Sequence, residues 1–260
     1  MKQELDFEEE VIDTVSEEII EPSILSAKLS LNNKGAEIIV SCIFLTIAIT
    51  LLCFGLCNFI TLAILVMGAL WNFFTDSNQF FACIFAFLVC IPFAIYSSNL
   101  GVYGFAMLHI AFYIPTQLIY YYDNKNKKDI GIMEIKSLEA GGIVGTTLVS
   151  LILSVGLSLM LYNLGEEFFY LDAISTVLLM VSVFLVNGRY KEYWPVRLIA
   201  TMVASLSWLF FAVFYDFKEG SVIFSLMFLM YFTMDCIRYF KWATKVKEEN
   251  KKLEKVDAEK

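Results

Sequence analysis

The ten residues Val177–Val186, VLLMVSVFLV, carry one polar side chain and no charge. A helix on the surface of a soluble domain shows a polar stripe at the helical period, and this stretch shows almost none. The whole chain has the same character, since 58% of its 260 residues are hydrophobic and its mean hydropathy is +0.68. The sequence therefore predicts an all-α polytopic membrane protein.

Apolar runs close to twenty residues long recur on both sides of this stretch, and about 20 helical residues cross a bilayer core. The first two runs nearly touch, so the boundary between them is the least defined. We predict eight transmembrane helices, at about residues 36–55, 57–74, 80–98, 104–122, 143–165, 170–188, 196–217 and 221–242. Residues 1–35 form an acidic N-terminal arm, 36–55 an extra N-terminal helix and 243–260 a charged tail.

Basic residues in the short loops predict the orientation of the chain, because positive residues mark the cytoplasmic side. They follow the fourth, sixth and eighth runs: Lys125, Lys127, Lys128, Lys136, Arg189, Lys191 and a Lys-rich tail. We therefore expect a multi-pass protein of the cell (inner or plasma) membrane with both termini in the cytoplasm. The net charge of −8 comes largely from the N-terminal arm, and the sequence has no basic, aromatic-rich patch for nucleic acid.

The chain contains an internal repeat at an offset of 118 residues. FAIYSSNLGVYGFAMLHIAFYIPTQLIYYY (93–122) aligns without a gap on FAVFYDFKEGSVIFSLMFLMYFTMDCIRYF (211–240), which pairs Tyr113 with Tyr231 and Gln117 with Asp235. We predict a three-helix repeat at 57–122, a basic loop and linker helix at 123–165, and a second repeat at 170–242. Two such parallel repeats are a transporter architecture with the substrate path between them. An evolutionary relic in a protein that does not transport is the alternative.

Polar residues inside the predicted spans are candidate functional residues, because they are costly in lipid. His109, Tyr113 and Gln117 are spaced by four and share one helical face, and Tyr231 and Asp235 occupy the same register in the second repeat. The two faces are expected to meet in a polar slot. An ion pair of Asp235 with Arg238 near the interface is a compatible alternative.

The turn RYKEYWPVRL (189–198) contributes two further candidates, Trp194 and Arg197, one helical turn apart. The repeat pairs them with Asp76 and Gln79. Pro195 suits the first turn of the following helix, where its missing N–H costs little.

Three other groups of residues have simpler interpretations. The six cysteines lie in apolar runs without metal-binding spacing and are expected to pack as small apolar residues. Asp172 is interpreted as a helix cap in preference to a binding residue. Trp71, Trp208 and the Tyr120–Tyr122 cluster are candidates for the interfacial aromatic belt, an interpretation that is strongest for Tyr120–Tyr122, which the charged residues DNKNKK follow directly. With a single histidine, His109, a metal site or a catalytic triad is not expected, and an intramembrane enzyme or receptor remains the alternative of another class.

The block YLDAISTVLLMVSVFLVNGRYKEYWPVRLIATMVASLSW (170–208) resembles the signature of the PnuC family of bacterial vitamin transporters, and FYIPTQLIYYY (112–122) resembles the matching segment of the first half. The resemblance covers about residues 57–242. It implies a 3+1+3 helix layout similar to that of the SWEET sugar transporters, usually assembled as a homotrimer. It also implies facilitated diffusion of nicotinamide riboside, trapped inside the cell by phosphorylation, with no enzymatic activity, cofactor or metal.

The resemblance also implies site residues. Aromatic side chains stack on the substrate ring and amides bond the ribose in this family, which points to Tyr113, Gln117 and Trp194. The chain departs from the family pattern at Arg197, where a second tryptophan is expected, and at Asp235, where asparagine is common. Relatives that carry thiamine, riboflavin or deoxynucleosides therefore remain alternatives.

Overall fold

The computed structural model describes residues 35–75, 79–126, 137–188, 190–214 and 220–258. Residues 1–39 and 40–260 form two units, and of the first unit only the residues from 35 onward, the start of a helix, are described. The acidic arm, Asp76, most of the basic loop after the fourth helix, Arg189 and Lys218 lie outside the described residues.

The described residues form eight helices, which we number in chain order. α1 is Gly35–Cys53, α2 Phe59–Thr75, α3 Gln79–Asn99, α5 Ala140–Asn163, α6 Phe169–Asn187, α7 Tyr193–Phe214 and α8 Ser221–Ala258. The remaining helix, α4, is continuous over 103–126 and has three parts: Tyr103–Met107, a π-helical segment Leu108–Tyr113, and Ile114–Asn126.

Six of the described helices are long and apolar enough to cross a membrane: α1, α3, α5, α6, α7 and α8. α2 has 17 residues and falls just short, and α4 is interrupted by its π-helical segment. The described residues confirm the all-helical architecture with several apolar helices that the hydropathy predicts. That all eight helices cross the membrane remains a prediction. α8 extends into the charged tail as a helix through Ala258, because Lys and Glu are good helix formers even where hydropathy is low.

The turn between α1 and α2 shows why the first two apolar runs are separate helices. Gly55 has a φ of 72°, a conformation that glycine adopts at little cost, and its N–H donates to the carbonyl of Leu52. The Asn58 side chain then accepts a hydrogen bond of 2.9 Å from the N–H of Thr61 and caps the start of α2.

Helix contacts connect neighbours in the chain and two more distant pairs. α2 packs on α3, α3 on α4, α5 on α6, α6 on α7 and α7 on α8, and in addition α2 packs on α8 and α4 on α6. α5 is more exposed than the other long helices, because only Leu161 of its 24 residues is buried. Its exposed residues are mostly apolar, as expected of a helix that faces lipid.

An aromatic core joins α3, α4, α7 and α8. The ring of Trp208 lies 4.9 Å from that of Phe224 and 5.3 Å from that of Phe105, and Phe93 lies 4.5 Å from Phe224. All four side chains are fully buried. The assignment of Trp208 to the interfacial belt is therefore wrong, because its ring lies at the centre of the helix bundle.

Candidate functional site

A buried ion pair connects α7 to α8. The Nε of Arg197 donates to Oδ2 of Asp235 over 3.0 Å, and the two side chains are 17% and 2% exposed. A desolvated carboxylate is tolerated only when it is paired and hydrogen-bonded, which this geometry provides. Arg197 is thus an ion-pair partner of Asp235. Arg238, one turn later on α8, donates to the backbone carbonyl of Asn72 over 3.3 Å.

The two repeat-related tyrosines lie beside this ion pair. The hydroxyl of Tyr113, on α4, is within hydrogen-bonding reach of the Arg197 guanidinium. Tyr231, on α8, lies one helical turn before Asp235, and its hydroxyl packs directly over Gly68 of α2. Because Gly68 has no side chain, the phenol ring can approach the α2 backbone closely.

Four buried polar atoms around this ion pair have no hydrogen-bond partner among the described residues. They come from α2, α4 and α8: Trp71 Nε1, Asn72 Oδ1, Gln117 Nε2 and the Tyr231 hydroxyl. Leaving a buried donor or acceptor unpaired costs about 1–3 kcal/mol, so native proteins keep few of them. Two donors, one acceptor and one hydroxyl together offer a neutral polar molecule a set of hydrogen bonds that the protein does not itself make.

We use the name "polar cluster" for Trp71, Asn72, Tyr113, Gln117, Arg197, Tyr231 and Asp235. The ring of Trp71 meets that of Tyr113 edge-on at 5.7 Å, which joins α2 to α4. Gln117 lies one turn beyond Tyr113 on α4 and is buried. The aromatic core is further along the bundle, since Trp208 follows Arg197 on α7 by about 16 Å of helix rise.

His109 lies at the border between the polar cluster and the aromatic core. Its ring stacks on Phe93 at 4.1 Å and meets the edge of Tyr113 at 5.1 Å. Its Nδ1–H donates to the carbonyl of Phe105 over 2.7 Å. The π-helical segment of α4 contains both His109 and Tyr113, and such segments are frequent at functional sites.

Trp194 lies in a separate aromatic group at the start of α7. Its ring centroid is 5.1 Å from that of Tyr193, 6.3 Å from Tyr239 and 6.2 Å from Trp242, and it is half-buried. Pro195 falls in the first turn of the helix, as predicted. Asp76 and the side chain of Gln79, the repeat-related partners of Trp194 and Arg197, lie outside what the structure describes.

The polar cluster therefore contains five of the seven predicted site residues, with His109 adjoining it and Trp194 apart. The five are Tyr113, Gln117, Arg197, Tyr231 and Asp235. Sequence reasoning missed Trp71 and Asn72 as members of the polar cluster. Trp71 resembles an interfacial residue near a span end, and only the contact of α2 with α8 shows that it faces inward. Substrate binding by these residues remains a prediction.

Comparison with known proteins gives three similarities. Residues 58–244 match the family model described as nicotinamide mononucleotide transporter. The chain is 23% identical over 193 residues to the nicotinamide riboside transporter PnuC of Neisseria mucosa, which covers 71% of this chain and 72% of that one. It also matches the crystal structure of the vitamin B3 transporter PnuC with a TM-score of 0.64 at 22% identity, over 82% of this chain and 92% of the other. At that identity the structural match establishes the fold.

Proposed function

The chain belongs to the nicotinamide mononucleotide transporter family, and from that premise we propose that it takes up nicotinamide riboside across the cell membrane. Uptake proceeds by facilitated diffusion, and phosphorylation inside the cell traps the substrate. Like its relatives, the protein is a transporter and not an enzyme.

The observation that carries this proposal is the set of four unpartnered polar atoms around the Arg197–Asp235 ion pair. A ribose presents several hydroxyl groups, and a carboxamide presents one donor and one acceptor group. The indole N–H of Trp71, the amide of Gln117 and the hydroxyl of Tyr231 match such groups in chemistry. The paired tyrosines and Trp71 add aromatic surface for a flat ring, and a pyridinium gains a cation–π interaction there.

We further propose that α2–α4 and α6–α8 are two parallel three-helix repeats, with α5 as linker and α1 as the extra helix. In this scheme α2 corresponds to α6 and α8 corresponds to α4. A twofold relation therefore requires that a contact of α2 with α8 be matched by one of α6 with α4, and both contacts occur. The repeat-related Tyr113 and Tyr231 also face the same ion pair. These pairings support a twofold axis along the membrane normal. We also propose cytoplasmic termini, from the positions of the basic residues in the loops, and a homotrimer, from the family resemblance.

The direct test is uptake of labelled nicotinamide riboside into proteoliposomes that contain the purified protein. Facilitated diffusion predicts uptake that saturates, needs no ion gradient and stops at equal concentrations on both sides. Enclosing a nicotinamide riboside kinase with ATP should then raise the trapped label above that level. Absence of uptake from correctly assembled protein, or uptake that concentrates free substrate only with an ion gradient, contradicts the proposal.

A sibling substrate is the second candidate, because of the Arg197–Asp235 pair. The resemblance leads us to expect tryptophan and asparagine at these two positions, and a charged pair changes what the site prefers. The discriminating measurement is the shift in melting temperature of the detergent-purified protein with nicotinamide riboside, thiamine, riboflavin and a deoxynucleoside at equal concentrations. The largest stabilisation identifies the substrate class.

Variants test the individual residues. Gln117→Leu removes an amide whose Nε2 is unpartnered, so we expect affinity to fall about tenfold while stability is kept. Trp71→Phe and Trp208→Phe each remove an unpartnered indole N–H, but only Trp71 is in the polar cluster. Only Trp71→Phe should weaken binding, and equal effects of the two would contradict the assignment. For Trp194→Ala, unchanged affinity would exclude a stacking role.

A further inference from the structure

A second buried polar group lies away from the polar cluster, where the chain passes from α5 to α6. Oε2 of Glu166 accepts a hydrogen bond of 3.0 Å from the N–H of Tyr103, and Oδ2 of Asp172 accepts one of 2.6 Å from the N–H of Gly104. Both N–H groups belong to the first turn of α4, which has no capping side chain of its own. Asp172 is thus a cap, as expected, but for α4 and not for its own helix α6.

The two carboxyl groups lie within hydrogen-bonding reach of each other and are removed from water. Glu166 is 5% exposed and Asp172 is fully buried. Asp172 also accepts a hydrogen bond of 3.0 Å from the Thr176 hydroxyl. Gly104 is needed here, since a Cβ on this residue would lie 2.6 Å from the Asp172 carboxyl carbon.

The hydrogen-bond inventory of this pair lacks one donor. Oε1 of Glu166 is buried and has no donor partner in the part of the chain that the structure describes. The groups facing the pair are the N–H groups of α4, the Thr176 hydroxyl of α6 and the two carboxyls themselves. Within the described part of the chain, no Lys, Arg or His side chain bonds to either carboxyl. Two carboxylates in contact in such a place cannot both stay ionised at moderate cost.

We propose that Glu166 and Asp172 form a proton-binding site, in which one proton held on Glu166 Oε1 is donated to the Asp172 carboxylate. The proton supplies the missing donor, leaves one negative charge on the pair and directs that charge at the positive end of α4. Ionising both groups would set two carboxylates against each other and drive one of them out of its hydrogen bond to the start of α4. Since α4 carries Tyr113 and Gln117, the proton fixes the helix on which the proposed substrate site depends.

Electrostatics agree with this geometry. Burial, followed by the neighbouring Asp172 carboxylate, raises the pKa of Glu166 to about 9. A folded state with a raised carboxyl pKa binds a proton that the unfolded chain releases near its ordinary value. The proton's contribution to stability is therefore complete below about pH 4.5 and is lost as the pH rises towards about 9.

The test compares the thermal unfolding of three detergent-purified proteins between about pH 5 and pH 9. The wild type should lose melting temperature steadily as pH rises. Glu166→Gln should flatten this dependence while keeping the low-pH melting temperature, because its amide N–H donates to Asp172 as the protonated carboxyl does. Glu167→Gln, the exposed neighbour, is the control and should keep the wild-type slope. A wild-type slope in Glu166→Gln would overturn the proposal.

Infrared spectroscopy of the wild type gives a second measurement that needs no variant to fold. A protonated carboxylic acid has a C=O band distinct from those of carboxylates. The band should be present at neutral pH, fall to about half its intensity near pH 9, the pKa of Glu166, and disappear above it. Its absence at neutral pH would show that both groups are ionised and that the proposal is wrong. Neither measurement depends on which substrate the protein carries.

Discussion

The Arg197–Asp235 ion pair is the contact whose removal most sharply tests the description of the polar cluster. We consider three variants, Arg197→Leu, Asp235→Leu and the double replacement. At 3.0 Å between Nε and Oδ2, two charges separated by roughly 4 Å attract by about 4 kcal/mol at an effective dielectric constant of 20. The two side chains differ in exposure, 17% for Arg197 and 2% for Asp235, so the two single variants should lose different amounts of unfolding free energy.

Arg197→Leu should lower the free energy of unfolding by about 4 kcal/mol, because the Asp235 carboxylate, 2% exposed, loses its ion pair with Arg197. Asp235→Leu should cost less, about 3 kcal/mol, because Arg197 is 17% exposed and keeps Tyr113 within reach. The double variant should cost only about 1–2 kcal/mol, since an apolar pair of similar volume often replaces a buried ion pair without great loss.

The assay is unfolding in mixed micelles by increasing fractions of SDS, followed by tryptophan fluorescence, with binding of nicotinamide riboside measured on the same samples. The expected pattern is a coupling of several kcal/mol between the two sites. Costs that simply add, to about 7 kcal/mol in the double variant, would refute the reasoning from a desolvated pair. Loss of binding in the stable double variant would separate a role in recognition from a role in folding.

Two glycines offer further tests. Gly104→Ala should lower the free energy of unfolding by about 2 kcal/mol in the same assay, because its Cβ would meet the Asp172 carboxyl at 2.6 Å, and an unchanged value would contradict this packing. Gly68→Ala should displace the Tyr231 hydroxyl and reduce substrate affinity, as measured by the ligand-induced melting shift. Gly145→Ala on α5 is the matched control, with nothing within 4 Å of its Cβ, and should raise helix stability by about 1 kcal/mol without affecting binding.

Hydropathy predicts most of the helices because burial in lipid requires long apolar runs. The predicted start of the last span, residue 221, coincides with that of α8, and α7 begins at Tyr193 beside a predicted 196. Hydropathy could not predict that α8 continues to Ala258, because a charged segment gives the same low value whether it is helical or not. It also could not predict the π-helical segment, which depends on backbone hydrogen bonding and not on side-chain polarity.

The candidate site was partly predictable because the internal repeat pairs Tyr113 with Tyr231, and both lie at the same ion pair. The pairing of Asp235 with Arg197 could not be predicted from spacing, because Arg197 reaches Asp235 only through the packing of α7 on α8. The Glu166–Asp172 pair was missed for the same reason, since its partners are backbone N–H groups of α4 more than sixty residues earlier.

The π-helical segment Leu108–Tyr113 decides where α4 tolerates changes in chain length. A π turn holds more residues than an α turn, so deleting one residue within it can restore a regular α-helix while the later residues keep their face of the helix. A deletion between Tyr113 and Gln117, in regular α-helix, has no extra residue to absorb it. Every later residue would then rotate by about 100° around the helix axis, and Gln117 would turn away from the polar cluster. The same deletion within α5 would merely exchange one lipid-facing residue for another. Single-residue deletions should therefore be accepted within the π-helical segment and in α5, and selected against between Tyr113 and Gln117.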